Sequence, residues 1–220
     1  MQRKADQGRT FQHEDTKPMH PQLDFDNFHE LIPQLSFAYS QGAYTPRSTY
    51  SLEFLPGMNR FTHFVKVVAA TKHRKAGDIA IEVDQTTQAH SLFLSVHIRH
   101  SRKRRTRSGR HVRILPRNHT ILTHQQLIAA RQFISMALPY PERLESGSHA
   151  LVTAPKADGT IADIMSIVVC YLSCASSMPV AEVSNEVDED MQLRDHGWRS
   201  AIGEDGIDIV KQCVEGEWVG

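Results

Sequence analysis

The sequence alternates short apolar runs with amphipathic segments, a pattern that predicts strands interleaved with helices. Residues 61–70 are apolar and rich in valine, and they are the best candidate for a central strand. Four shorter runs predict further strands, at residues 35–39, 79–83, 92–98 and 149–153. Strands that alternate with helices favour an α/β fold with a central, mostly parallel sheet flanked by helices.

Apolar residues at helical spacing predict five helices. Near the N-terminus, four of them predict a short helix that Pro33 ends: Phe25, Phe28, Leu31 and Ile32. Thr123 and Gln126 form a capping-box pattern, which predicts a helix from residue 123 to residue 138. Three further helices are predicted, one mostly apolar and two acidic, at residues 161–175, 183–193 and 207–214.

The composition is that of a globular protein, with 40% apolar and 23% charged residues among 220. We expect a flexible polar tail over residues 1–22 and a single domain over residues 23–220. The longest apolar run, residues 167–172, is too short to cross a bilayer, so no membrane association is predicted. Three cysteines form no disulfide framework, which favours the cytoplasm or nucleus. No histidine pair has metal-ligand spacing, and we expect no cofactor.

The formal net charge of zero conceals two opposed halves. Residues 1–150 carry 21 basic and 12 acidic side chains, whereas residues 151–220 carry 4 basic and 13 acidic ones. Nine cations fall within residues 99–117, which we interpret as an exposed, inserted basic loop. These nine are Arg99, Arg102, Lys103, Arg104, Arg105, Arg107, Arg110, Arg113 and Arg117.

Several roles fit this basic loop. Its composition fits a solvated insertion without a partner, a nuclear-import signal at residues 102–105, or a site for nucleic acid or another polyanion. It also has a local alternative, contact with the acidic C-terminal helices of its own domain. No aromatic residue occurs between Phe93 and Phe133, so the loop has no platform for stacking single-stranded bases. The candidate binding residues are Arg99, Arg102, Lys103, Arg104, Arg105 and Arg107.

A strand–loop–helix unit over residues 149–177 is the second candidate site. A tight loop before a helix presents backbone N–H groups and the positive end of the helix dipole, and this arrangement suits an anion. Lys156 adds a cation to the loop of residues 154–160, but Asp158 and Asp163 add negative charge and Pro155 lacks an N–H group. The charge count favours a structural turn over a phosphate site.

This unit resembles the signature of the cysteine-dependent protein phosphatases, of the dual-specificity and tyrosine types. In that family a strand ends in His-Cys, a loop with alanine and two glycines follows, and an arginine opens the helix. The corresponding residues in this chain are Thr153, Ala154, Lys156, Ala157, Gly159 and Thr160. The capped helix and residues 60–69 are similar to the family's neighbouring elements. The resemblance spans about residues 30–215, through element order more than identity.

The resemblance implies a cysteine nucleophile, a phosphate-binding arginine and a carboxylic acid, and this chain departs from the family at each. Ala154 lies at the cysteine position and Thr160 at the arginine position, and no Asp or Glu occurs over residues 85–141. We therefore expect a catalytically inactive phosphatase-like protein that binds or scaffolds phosphorylated or acidic proteins. An active phosphatase with a displaced nucleophile is the enzymatic alternative. Cys170, Cys174 and Cys213 are interpreted as small core residues.

Overall fold

The computed structural model describes residues 25–40, 61–98, 118–139, 147–157, 159–194 and 202–216. The predicted tail and the basic loop lie outside these residues. Six strands and four helices occupy the described part of the chain. In chain order they are β1 (Phe25–Ile32), β2 (Leu35–Ser40), β3 (His63–Ala69), β4 (Ile79–Val83), β5 (His90–Val96), α1 (His124–Ala137), β6 (Ala150–Pro155), α2 (Thr160–Ser176), α3 (Val180–Arg194) and α4 (Glu204–Glu215).

The strands form one mixed sheet in the order β1-β2-β6-β3-β5-β4. The four inner strands, β2, β6, β3 and β5, run parallel to one another. The two outer strands, β1 and β4, pair antiparallel with their neighbours. The predicted α/β class and the mostly parallel sheet are therefore confirmed, as is the inner position of the strand predicted at residues 61–70.

The helix predicted before Pro33 is wrong, because these residues form β1. Strand β1 pairs with β2 through a tight turn at Pro33 and Gln34, where Gln34 has a φ of 77°. The pairing slips twice, between Asp26 and His29 and between Glu30 and Ile32. Each slip breaks the two-residue alternation expected of a strand. The apolar residues are consequently left at a spacing that imitates a helix.

The main core lies between one face of the sheet and the four helices α1 to α4. Val65 and Val67 of β3 point into it, and so does Phe133 of α1. Helix α2 is buried over most of its length, which explains its nearly continuous apolar sequence. No single helix among the described residues is long and apolar enough to span a membrane.

The opposite face of the sheet carries a smaller apolar cluster that contains Phe64. Lys66, on the same face of β3, is only 9% exposed. Its Nζ lies 5.2 Å from the ring centre of Phe64 and 5.1 Å from that of Phe93. Burial lowers the pKa of Lys66 to about 8, although Glu82 and Asp84 act in the opposite direction. The ammonium group is therefore held in an environment that disfavours its charge.

Replacing Lys66 by methionine is expected to raise the free energy of unfolding at pH 7 by about 2 kcal/mol. The unfolded lysine has a pKa near 10.5, so between pH 8 and 10.5 the unfolded state binds more protons than the folded state. Wild-type stability should therefore increase with pH across that window, whereas the K66M variant should lack this increase. Urea denaturation at pH 7 and pH 10 measures both effects, and equal pH dependence in the two proteins would contradict the prediction.

Candidate functional site: the carboxyl edge of the sheet

The candidate site lies where the carboxyl end of β6 turns into α2. The predicted loop of residues 154–160 is too long, because β6 continues through Ala154 and Pro155 and pairs there with Tyr39 and Ser40 of β2. Only residues 156–159 connect the strand to the helix. Gly159 is the N-cap of α2 and has a φ of 77°, a conformation that costs glycine little. The connection is thus a tight turn at the carboxyl edge of the parallel strands.

Thr160, the first residue of α2, closes this turn with its side chain. Its hydroxyl oxygen lies 2.8 Å from the carbonyl oxygen of Pro155 and 2.9 Å from that of Ala157, and either can accept its single proton. The Ala157 N–H donates to the same hydroxyl at 3.4 Å, and the Thr160 N–H donates to the Ala157 carbonyl at 3.3 Å. Thr160 is 1% exposed. These three donors, the two N–H groups and the hydroxyl, are therefore used within the turn itself.

The position of the expected nucleophile offers no reactive atom. Ala154 is 1% exposed and lies within β6. The preceding residue, Thr153, is also buried, and its hydroxyl donates to the Val65 carbonyl at 3.5 Å. Lys156, by contrast, is exposed. The structure brings all five residues of the predicted loop site together around one turn: Ala154, Lys156, Ala157, Gly159 and Thr160.

Asp163, which the sequence places near the anion position, is bonded to residues outside the turn. It is fully buried in the first turn of α2, and its Oδ1 accepts hydrogen bonds from the Thr120 hydroxyl and the Ile121 N–H, each at 2.9 Å. The carboxylate therefore fastens residues 118–122 to the start of α2. No pattern near Asp163 reveals this role, because its partners lie about forty residues away in the sequence. Asp158, the other predicted carboxylate, lies outside the described residues.

The basic loop begins and ends at this same edge. Strands β5 and β6 both run parallel to β3, so their carboxyl ends share one edge of the sheet. The loop follows β5, and the described chain resumes at Asn118, whose carbonyl accepts the Gly203 N–H at 2.7 Å. Thr120 is bonded to Asp163 beside the turn. Arg99, Arg102, Lys103, Arg104, Arg105 and Arg107 lie outside the described residues, but both flanks of their segment lie at this edge.

A groove of about 280 Å³ lies near the other end of α2. Its wall is mostly apolar, with two carboxylates from α3, and includes Leu31, Leu172, Met178, Val187, Glu186 and Asp190. Helix α2 has 17 residues and is about 25 Å long, so this groove is well separated from the turn at residues 156–159. No residue predicted to form a site lines it.

In the described part of the chain, no group of three or more His, Cys, Asp or Glu residues could hold a metal ion. Among the described residues of the turn, which are 156, 157 and 159, Lys156 carries the only charged side chain. No protein-family model matches the chain, and no curated protein shows significant sequence similarity to it.

Proposed function

We propose that this protein is a non-catalytic, phosphatase-like module that binds acidic or phosphorylated proteins at the carboxyl edge of its sheet. The observation that carries the proposal is the turn after β6, which exposes Lys156 while the Thr160 side chain, at the arginine position, is bonded to the loop carbonyls. It is the turn that the phosphatase resemblance places at the anion site.

The arrangement of the elements supports the resemblance. A buried inner strand, β6, leads through four residues into a buried helix, α2, at the edge where the parallel strands end. A long or extended connection at this point would have counted against a phosphatase-like unit. The α1 helix comes directly before β6 in the chain, as the resemblance requires of the capped helix.

The side chains at the turn support the loss of catalysis. Transfer of a phosphoryl group in this family needs a thiolate nucleophile and a forked, charged contact to the phosphoryl oxygens. Ala154 supplies neither an acid nor a nucleophile, and Thr160 supplies a neutral hydroxyl that is already bonded within the turn. The segment over residues 85–141 contains no Asp or Glu that could protonate a leaving group.

Charge supports the choice of partner. Lys156 is exposed on the turn, and the described residues on both sides of the segment with nine cations, residues 99–117, lie at the same edge of the sheet. A concentration of one sign of charge attracts partners of the opposite sign and speeds their association. Acidic or phosphorylated segments of proteins have the required charge.

The absence of catalysis is tested with p-nitrophenyl phosphate and a phosphotyrosine peptide. We expect no turnover above that of a sample purified in parallel from cells that lack the protein. Turnover that follows the protein through several columns, and that is lost on Cys174→Ser or another single cysteine substitution, would favour the alternative of an active phosphatase with a displaced nucleophile.

Binding is tested by fluorescence anisotropy with a labelled, multiply phosphorylated peptide. Substituting Lys156 with glutamate should weaken binding about fivefold, which corresponds to roughly 1 kcal/mol for a charge change at the surface. Lys211→Glu is the matched control, because Lys211 is a partly exposed lysine on α4 with Asp208 as its partner. Equal affinities for wild type and both variants would contradict binding at the turn.

Duplex nucleic acid is a second candidate partner, which the density of arginines in residues 99–117 favours. Arginines that neutralise backbone phosphates release counterions, so binding should fall steeply as salt increases. The change of residues 102–105 to alanine should then abolish duplex binding. Binding that is independent of salt would exclude this candidate.

A further inference from the structure

The three cysteines of the chain come together between helices α1, α2 and α4. Cys170 and Cys174 lie one turn apart on α2, and Cys213 lies on α4. Cys170 and Cys213 are fully buried, which confirms the prediction that they are core residues. Cys174 is only half-buried, so reagents from solvent can approach it more readily than the other two.

Arg131 of α1 is the cation in this cluster. It is 6% exposed, and its Nη1 donates hydrogen bonds to the Cys174 sulfur at 3.3 Å and to the Cys213 carbonyl at 3.4 Å. A guanidinium group beside a sulfur stabilises the thiolate, the form of cysteine that reacts with oxidants and electrophiles. Of the three thiols, Cys174 is therefore the one that combines a cationic partner with access to solvent.

Cys170 is in an environment that favours the protonated thiol. A hydrogen bond with Cys174 and burial raise the pKa of Cys170 and outweigh Arg131, which acts in the opposite direction. The third thiol, Cys213, faces α1, where its sulfur lies 3.9 Å from the His124 carbonyl oxygen as a weak donor. Cys170, on the same helix and hydrogen-bonded to Cys174, is thus the thiol placed to react with a chemically changed Cys174.

We propose that Cys174 is a peroxide-sensitive modification site and that Cys170 is the thiol that resolves it into a disulfide. The Cys174 thiolate attacks hydrogen peroxide, the O–O bond breaks, and sulfenic acid and hydroxide form. The Cys170 thiol then displaces water from the sulfenic acid, so that an S–S bond replaces the S–O bond. Two thiols and one peroxide give one disulfide and two waters, with the protein oxidised by two electrons and the peroxide reduced.

The position of Cys174 in α2 makes this disulfide attainable and labile. Residues four apart on a helix have Cβ atoms about 5–6 Å apart, whereas a disulfide holds them at about 4 Å. The helix must therefore open locally for the bond to form. Cys174 lies in the last turn of α2, which ends at Ser176, where opening costs least. The resulting strain should leave the disulfide easily reduced by cellular thiols.

Trypsin allows the product to be identified directly. After Lys156, the next basic residue is Arg194, so residues 157–194 form one peptide that contains Cys170 and Cys174. Residues 212–220 form a separate peptide that contains Cys213. The folded protein is treated with hydrogen peroxide and is then unfolded in urea, where the remaining thiols are blocked with N-ethylmaleimide. The tryptic peptides are analysed without reduction by mass spectrometry.

We expect residues 157–194 to be lighter by two hydrogens and free of maleimide, while residues 212–220 carry one maleimide. Dithiothreitol should restore two reactive thiols in the larger peptide. A cross-link between the two peptides, oxidation confined to Cys213, or two maleimides on residues 157–194 would overturn the proposal.

Variants separate the two steps. Cys170→Ser should stop the reaction at a sulfenic acid on Cys174, which dimedone traps, whereas Cys174→Ser should give neither product. Cys213→Ser is the matched control and should form the disulfide as the wild type does. Arg131→Gln should slow oxidation of Cys174 about tenfold, with Arg131→Lys closer to wild type. The untreated, folded Arg131→Gln variant should still protect Cys170 and Cys213 from maleimide, which shows that its core is intact. If Cys174 in that variant is nevertheless oxidised at the wild-type rate, Arg131 does not activate Cys174.

Discussion

Replacing Asp163 by alanine is expected to lower the free energy of unfolding by about 4 kcal/mol, because two hydrogen bonds to a charged acceptor are lost. The Thr120 hydroxyl and the Ile121 N–H both donate to its Oδ1, and the carboxylate has no exposure to solvent. Urea denaturation measures the loss. Hydrogen exchange should also become faster at the Ile121 amide, since residues 118–122 lose their attachment to α2.

Two further variants set limits on the expected loss of stability. Asp163→Asn keeps an oxygen that can accept hydrogen bonds and should cost about half as much. Asp208→Ala removes an acid that is 70% exposed on α4, and it should change stability by less than about 0.5 kcal/mol. A loss of less than about 1 kcal/mol in D163A would show that the two hydrogen bonds do not hold the edge together.

The second large effect is expected for Gln126→Glu. In an exposed capping box glutamate serves as well as glutamine, since its oxygen accepts the N-cap N–H. Here the Gln126 amide oxygen accepts the Thr123 N–H at 3.0 Å, and its Nε2 donates to the carbonyl oxygens of Asp78 and Ser95 at 3.1 and 3.0 Å. Glutamate would set a buried negative charge against two carbonyl oxygens. We expect a loss of about 4 kcal/mol at pH 7.

The pH dependence of the stability of Q126E distinguishes the effect of the charge from the effect of the side chain's shape. Burial would raise the pKa of a glutamate at position 126, so its folded form would hold a proton that the unfolded chain releases. The stability of Q126E relative to wild type should therefore be best below about pH 4 and should fall as pH rises towards neutrality. Gln126→Met, which is similar in length and uncharged, should show no such dependence. A pH-independent difference in Q126E would point to packing instead.

Local patterns predict most of the elements of this fold. The capping box at Thr123 is present with both of its hydrogen bonds, and the strand at residues 79–83 has the predicted bounds. The prediction fails at β1, where two register slips change the spacing of the apolar residues. Strand order is a separate matter, since β6 lies between β2 and β3 although it follows them by about a hundred residues. Nothing in the local pattern of β2 or β3 indicates that partner.

The candidate site is less predictable than the fold, for a physical reason. The sequence does predict a tight turn between β6 and α2, because an apolar strand, a glycine and an apolar helix follow one another closely. The hydrogen bonds of the polar groups depend on partners that are distant in the sequence. Asp163 bonds to Thr120, and Gln126 bonds to Ser95. The same holds for the thiols, since Cys174 meets Arg131 only after three helices have packed. Sequence therefore identifies the residue types, while long-range packing decides which of them are available for chemistry.

The position of β6 also determines when the chain can fold during synthesis. Strands β2 and β3 are not neighbours, and each pairs with β6. Until residues 150–155 leave the ribosome, the sheet exists only as two separate pieces, β1 with β2 and β3 with β4 and β5. Each piece then exposes an unpaired strand edge, and exposed edges of this kind promote the aggregation of nascent chains. The nascent protein should accordingly depend on chaperones until residues 150–155 have emerged, and a chain that stops before residue 150 should be insoluble.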